Sequence, residues 1–284
     1  MSEISWEAFL KQAQQKLADA GIEDARDEAR WLVRLIGGVS SSDLIARGDD
    51  PIEASARTRL QNALQRRVAH EPLQHIVGET EFFGLALTSD KRALVPRPDS
   101  ECVVELALET IPRDADYALA DLGAGTGALL IALLKQRPQT TGTTIERSEA
   151  ANSLISENLT RHGLENRASQ FAGSWSEWTG WSICDLIISN PPYIESAVIP
   201  TLAPEVREYD PMDALDGGAD GLDAYREIIS IASTEMKPAA WLVLEIGYDQ
   251  EAAVSALLKE NGFINLIHRK DLGGNDRAIA AQQP

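Results

Sequence analysis

Leu119-Ala120-Asp121-Leu122-Gly123-Ala124-Gly125-Thr126-Gly127 leaves a short apolar strand and opens a helix, Ala128 to Leu134. Glycines at such a junction let the backbone turn tightly and bring helix N–H groups close to a ligand. The spacing is G-x-G-x-G, not the dinucleotide G-x-G-x-x-G, and no lysine follows, which excludes a P-loop. Asp121 would repel a pyrophosphate but suits a cation. The following strand ends Thr144-Ile145-Glu146, placing a carboxylate where the ribose hydroxyls of a nucleoside lie. A ligand with a ribose, a positive centre and no phosphate meets all of these conditions, and S-adenosylmethionine is the candidate they select. A plain strand–turn–helix junction with an incidental acid would account for the loop taken alone.

Around this stretch, from about residue 96 onward, strands and helices alternate. The apolar runs predict strands at 117–122, 142–146, 167–171, 185–189, 240–246, 263–268 and 277–281. Helices are predicted at 99–111, 127–135, 148–162, 222–236 and 249–261. Alternation of this kind specifies an α/β fold with a mostly parallel sheet between two helical layers.

The fourth of these strands ends abruptly in Asn190-Pro191-Pro192-Tyr193. Two consecutive prolines have no backbone N–H and a fixed φ, so the sheet ladder stops and the turn is stiff. It sits at the carboxyl end of a strand, where open α/β sheets bind ligands. The turn offers an amide side chain, proline carbonyls and an aromatic face, a set that accepts hydrogen bonds from a planar –NH2 group and stacks on it. It contains no charge and no nucleophile. A rigid surface turn would use the same residues, but the buried strand before it favours a site.

Residues 1–75 read as a helical bundle. Ser5 precedes Trp6, Phe9, Leu10, Ala13 and Leu17 at helical spacing, closed by Gly21; Ala25, Ala29, Leu32, Val33 and Ile36 follow, stopped by Gly37-Gly38. Serines 40–42 offer caps to a third helix. Asp50-Pro51 is expected to cap and start a fourth, carrying Ile52, Leu60, Leu64 and Val68. No catalytic cluster is visible there, so the segment is expected to dock or recognise a partner. Residues 76–95 switch to β-like alternation from Ile76 to Phe83, then Gly84 and Leu85 to Thr88, and predict a hairpin linker.

The 284 residues carry a formal charge of −18 and 44 % apolar residues, enough for a sizeable core. Phosphate-neutralising nucleic-acid binding rests on a surplus of Lys and Arg that is missing here, so direct nucleic-acid binding is not expected. No run of about 18 apolar residues exists to span a membrane. The N-terminus lacks a signal-peptide pattern. Cys102 and Cys184 lie in apolar surroundings and read as buried thiols, consistent with a cytoplasmic protein. His70, His75, His162 and His268 show no ligand spacing, so no metal is expected.

These motifs resemble the class I S-adenosylmethionine-dependent methyltransferases and, within them, the HemK/PrmC family, which methylates the glutamine of a Gly-Gly-Gln motif in peptide chain release factors. The resemblance runs nearly end to end. It includes Glu71-Pro72-Leu73-Gln74-His75-Ile76-Val77-Gly78, Glu81-Phe82-Phe83-Gly84, Leu94-Val95-Pro96-Arg97-Pro98-Asp99-Ser100-Glu101, the glycine loop, Asn-Pro-Pro-Tyr-Ile, and Ala214 to Leu222. It implies a Rossmann-like methyltransferase domain at 96–284, a hairpin linker at 76–95 and a helical substrate-recognition domain at 1–75. It further implies that Asp121, Gly123, Ala124, Gly125, Thr126, Gly127, Glu146, Trp175 and Asn190 bind the cofactor. Of these, the glycine loop would hold the methionine part, Glu146 the ribose and Trp175 the adenine. Ser174 stands where the family often carries an acid. Asn190, Pro191, Pro192 and Tyr193 would hold the substrate glutamine.

A carboxamide nitrogen is a poor nucleophile because its lone pair is delocalised. Asn190 Oδ1 and the Pro191 carbonyl would accept its two N–H bonds and aim the nitrogen at the donor methyl, while Tyr193 packs against the amide plane. Asn190 is too weakly basic to act as a general base. For Asp99 and Glu101 the expectation is a helix cap and a first-turn acid. Arg97 is open between steadying the cofactor pocket or substrate and a purely structural role. Two rivals remain. An adenine- or cytosine-amino methyltransferase could use the same turn but needs a flipped base and a basic groove. A non-catalytic cofactor-binding interaction protein would need a damaged loop or turn.

Overall fold

The computed structural model describes residues 4–284. Five helices come first: α1 (Trp6–Asp19), α2 (Ala25–Leu35), α3 (Ser41–Arg47), α4 (Ala54–Val68) and α5 (Leu73–Val77). A two-stranded hairpin follows, β1 (Glu79–Phe82) and β2 (Leu85–Thr88). Then come α6 (Glu101–Thr110), β3 (Ala118–Leu122), α7 (Ala128–Gln136), β4 (Thr141–Glu146), α8 (Glu149–His162), β5 (Ala168–Ala172) and β6 (Leu186–Ser189). The chain ends with α9 (Pro204–Tyr209), α10 (Asp223–Glu235), β7 (Trp241–Glu245), α11 (Glu251–Glu260), β8 (Ile264–Lys270) and β9 (Asp276–Gln282).

Contacts divide the chain into two compact units. One runs up to Glu79 and adds Ala203–Tyr209; the other is Thr80–Leu202 with Asp210–Pro284. In the helical unit, Phe9, Ala13, Leu17, Leu32, Leu60 and Leu64 form the buried centre. Ser5 caps α1 by accepting from the Ala8 N–H, and Ser40 with Asp43 forms a reciprocal capping box on α3. Helix α4 departs from expectation. It starts at Ala54 with Glu53 as its cap, while Asp50 accepts instead from Arg47 Nε at 2.8 Å. Pro51 bridges to Ser5 in extended backbone, which leaves it no place in a first helical turn. Arg67 of α4 is buried, pairs with both oxygens of Glu28 on α2, and lies 3.4 Å from Glu205. The Tyr209 hydroxyl donates to Ala69 O at 2.7 Å, which fastens α9 to the same unit.

The larger unit holds a seven-stranded sheet in the order β5-β4-β3-β6-β7-β9-β8. Every pair from β5 to β7 is parallel, and β9 runs antiparallel to both its neighbours. All seven strands fall where the sequence places them; the central β3, β6, β7 and β9 are buried and read as apolar segments, while the edge strands β5 and β8 are largely exposed. Alternate residues serve opposite layers. Leu119, Leu186, Ile188 and Val243 pack on one face with α6 and α7; Ala120, Leu122, Ile187, Leu242 and Leu244 pack on the other with α10 and α11.

The hairpin begins later than its apolar pattern suggests. Ile76 and Val77 are the last turn of α5, Ile76 buried in the helical core and Val77 packed against it, and Gly78 ends that helix at φ 82°. The strands then pair across Phe83 and Gly84, both at positive φ, the twist that two-residue hairpin turns require.

Candidate active site

β3 lies at the middle of the chain's winding: β4 and β5 are laid down on one side, β6 and β7 on the other. At such a switch point the loops leaving the carboxyl ends diverge and open a crevice. A cavity of about 750 Å³ opens here, lined by residues of the glycine loop, the Asn190 turn, the Leu94–Glu101 segment, Phe82 and Ala214, but by none from Glu71–Gly78.

The first wall is the glycine loop. Gly123, Gly125 and Gly127 have φ values of 68°, 57° and 80°, a region costly for any residue with a Cβ, which accounts for the G-x-G-x-G spacing. The Gly123 N–H donates to Ile145 O at 2.8 Å, folding the loop over β4. Gly123, Ala124, Gly125 and Thr126 line the cavity. Gly127 does not. It is the left-handed residue that starts α7, packed near Ile131 and Ile155. Asn158 of α8 pins the loop from behind, donating to Thr126 O at 3.0 Å and to Thr88 O at 3.1 Å.

Asp121 is 1 % exposed. Its Oδ2 accepts from the Leu130 N–H at 3.3 Å, and its Oδ1 is buried with no hydrogen-bond partner. Burial raises this carboxyl to about 7. Glu146, at the end of β4, is clamped between two backbone donors: Oε2 takes the Gly125 N–H at 3.0 Å and Oε1 the Ser148 N–H at 2.8 Å. Each oxygen keeps a free lone pair. Trp175 lines the cavity beyond β5, its ring near Gly123 and its Nε1 buried without a partner. Ser174 turns the chain there, its N–H and hydroxyl both donating to Glu177.

The opposite wall is the Asn190 turn. Ser189, the residue before it, donates to Leu122 O at 2.7 Å and locks β6 to β3. Asn190 and Pro192 line the cavity; Pro191 is buried and Tyr193 is set back from the wall. Asn190 Nδ2 donates to the Ser100 hydroxyl at 3.5 Å, which leaves Oδ1 as the free acceptor. The Tyr193 hydroxyl donates to Glu245 Oε1 at 3.3 Å, and burial pushes its pKa upward.

The segment after the turn is a buttress for it. Ile194 exchanges backbone hydrogen bonds with Leu215 O at 3.0 Å and the Gly217 N–H at 2.8 Å. A Cβ on Gly217 would stand 2.8 Å from Tyr193 Cα, and one on Gly221 2.4 Å from Tyr193 O, so both glycines are required by close approach. Gln250 closes the buttress. Its Nε2 donates to Tyr193 O at 3.0 Å and Gly221 O at 3.1 Å; its Oε1 accepts from the Gly247 N–H at 2.9 Å. Neither Gln250 nor Glu245 was singled out from sequence. Glu245 carries one usable signal, a carboxylate ending an apolar strand, whereas Gln250 carries none.

Arg97 pairs with Asp210 at 2.9 Å, a side chain buried so fully that its pKa is raised by desolvation despite the guanidinium. Asp210 leads into Pro211–Ala214, which line the cavity, so Arg97 acts by holding that segment. Asp99 does not cap α6. It sits in a 3-10 turn, Pro98–Ser100, and α6 begins at Glu101, whose Oε1 takes the Phe83 N–H at 2.7 Å. Among the described residues no cluster of three His, Cys, Asp or Glu could hold a metal ion, and no helix is long and apolar enough to cross a membrane. Cys102 and Cys184 are both free and buried.

A sheet of this order, with a glycine loop, an acid ending the second parallel strand and a polar turn ending the fourth, defines a Rossmann-like methyltransferase. A methyltransferase from Pyrococcus furiosus shares the fold, with a TM-score of 0.52 at 15 % identity over 81 % of this chain and 99 % of its own. The family models that match are the methyltransferase small domain, over residues 102–204, and the PrmC N-terminal domain, over residues 8–78. The release factor glutamine methyltransferase of Caulobacter vibrioides is 38 % identical over 94 % of this chain and 92 % of its own length. That of Geobacter sulfurreducens is 39 % identical over the same shares. The chain belongs to the release factor glutamine methyltransferase family.

Proposed function

We propose that this chain transfers a methyl group from S-adenosylmethionine to the side-chain amide nitrogen of a release-factor glutamine, the one in the Gly-Gly-Gln motif. The enzyme is an S-adenosylmethionine-dependent protein-(glutamine-N5) methyltransferase. The observation that carries the substrate reading is the Asn190 amide at the cavity wall, whose nitrogen reaches the Ser100 hydroxyl at 3.5 Å and whose oxygen is left to accept. Family membership carries the rest.

The residues present suit the cofactor. Asp121 Oδ1 is a buried acceptor in want of a donor or a positive neighbour, and Trp175 Nε1 a buried donor in want of an acceptor. The glycine loop is assigned to the methionine part, Glu146 to the ribose through its free lone pairs, and Trp175 to the adenine. When bound, S-adenosylmethionine supplies an electrophilic methyl group on a sulfonium. Asn190 Oδ1 and the Pro191 carbonyl accept the two N–H bonds of the substrate amide and orient its nitrogen. They also stabilise the positive charge that develops there. Pro192 provides the apolar contact at the wall, and Tyr193 fixes the turn from behind.

The helical unit is assigned to recognition of the release factor, since its buried core and capped helices offer packing and no chemistry. Its partner is a protein; direct nucleic-acid binding is not part of this reading, and the chain's acidity supports that. The cytoplasm, where release factors work, is the expected compartment. The test is methyl transfer from labelled cofactor to a purified release factor, beside DNA as acceptor. Label on DNA, or on neither, would overturn the reading.

A further inference from the structure

Glu245 ends β7, the neighbour of β6, and so stands beside the Asn190 turn. It is 2 % exposed. Its Oε1 takes the Tyr193 hydroxyl, and its Oε2 is buried without a hydrogen-bond partner. Ser100, itself buried, faces the same carboxylate and favours its ionised form. The Ser100 oxygen receives the Asn190 Nδ2–H bond, so its own proton is available to Glu245. Tyr193 thus bonds the carboxylate directly, and Asn190 bonds a hydroxyl that faces it.

An asparagine can present either its oxygen or its –NH2 to a ligand, and the choice is set by what the other end bonds. An ionised carboxylate only accepts. It therefore polarises the chain in one direction: amide N–H to serine oxygen, serine O–H to carboxylate. A protonated carboxyl can donate to Ser100 and remove that preference.

We propose that Glu245 is a positioning residue for methyl transfer, fixing through Ser100 the orientation in which Asn190 Oδ1 faces the substrate amide. The inference rests on the reading of Asn190 as the amide acceptor. The other groups that face Glu245 are Arg277 of β9, Asp99, Cys102 of α6, and Tyr225 of α10, whose hydroxyl donates to the Glu245 main-chain oxygen at 2.9 Å. Arg277 is paired with Asp271 at 3.0 Å and favours the carboxylate; burial opposes it and brings the group to about 7. The switch in orientation consequently falls near neutral pH.

Two measurements test this. The side-chain NH2 signals of Asn190, assigned by their loss in Asn190→Asp, are followed by 15N NMR from about pH 5.5 to about pH 8.5. They should shift with a midpoint near 7 in the wild type and stay still in Glu245→Gln and Ser100→Ala. A titration that survives in either variant, or no titration in the wild type, overturns the proposal. In the methylation assay, Glu245→Gln and Ser100→Ala should lower kcat about tenfold or more with the KM for S-adenosylmethionine within about twofold. Glu245→Gln should also lose the acid limb of the pH profile. An unchanged limb, or equal losses in kcat and cofactor affinity, overturns it as well. A wild type that shows the Asn190 titration but leaves release factor unmethylated would sink the substrate reading and support the positioning claim.

Discussion

Replacing Gln250 by alanine isolates the support of the Asn190 turn from the cavity itself, because Gln250 does not line it. The side chain makes three hydrogen bonds, shorter than the 3.3 Å approach of Tyr225, at 2.9 to 3.1 Å to Gly247, Tyr193 and Gly221. A net value of about 1 kcal/mol for each of the shorter ones gives about 3 kcal/mol. Gln250 is only partly buried, so water replaces some of the loss, and about 2 kcal/mol is the expected cost. For a unit of this size that lowers the melting temperature by roughly 4–8 °C. The shift is read on the methyltransferase unit's own transition, since a chain of two units need not unfold in one step. Gln250→Glu should be worse than Gln250→Ala. It retains acceptors for the Gly247 N–H but sets a carboxylate against two carbonyl oxygens. Both variants should lose kcat to a greater degree than cofactor affinity. A melting temperature within about 1 °C of wild type, together with normal kcat, would refute the buttress.

Three further outcomes are expected. Gly125→Ala places a Cβ at φ 57° with its nearest neighbour, Ala93 Cβ, 3.8 Å away, so the penalty is backbone strain of about 1–2 kcal/mol; calorimetry with S-adenosylhomocysteine should show roughly 5- to 30-fold weaker binding, and unchanged affinity would remove the loop from the cofactor site. Glu28→Ala strands the Arg67 guanidinium, whose side chain is 4 % exposed, with Glu205 at 3.4 Å as its remaining carboxylate. It should cost about 3 kcal/mol, read as a lower melting transition of the helical unit. Asp121 and Glu245 are both raised to about 7 by burial, so between about pH 4 and pH 7 the folded state holds protons that the unfolded chain has released. Stability contributed by these carboxyls therefore falls as pH rises through that window. Asp121→Asn should raise the melting temperature at about pH 8, with the gain vanishing near pH 4; a gain independent of pH would contradict the assignment.

The centre of the sheet was legible because β3, β6 and β7 are buried apolar runs, and a strand buried on both faces cannot be written otherwise; the more polar β4, β5 and β8 were placed by their alternation with helices. The loop and the turn were legible because positive φ and paired prolines demand particular residues at fixed spacing. What escaped depends on partners distant in sequence. Ile76 and Val77 alternate like a strand, yet the helical core takes them into α5. Asp50 and Asp99 have the composition of caps, but Arg47 claims the first, and the 3-10 turn after Arg97 moves the start of α6 past the second. Gln250 reaches back 57 residues to Tyr193, a contact no local pattern encodes. The helix α9 and its return to the helical unit through Glu205 and Tyr209 are likewise tertiary facts.

The most direct measurement is mass spectrometry of a release factor incubated with S-adenosylmethionine and either the wild-type chain or Asn190→Ala. The expected result is one added methyl on the glutamine side chain with wild type. With Asn190→Ala, turnover should be lower by about 10²- to 10³-fold while cofactor binding is retained. An unmodified glutamine with wild type, or full activity without the Asn190 amide, would contradict the central claim that this side chain presents the substrate carboxamide for methylation.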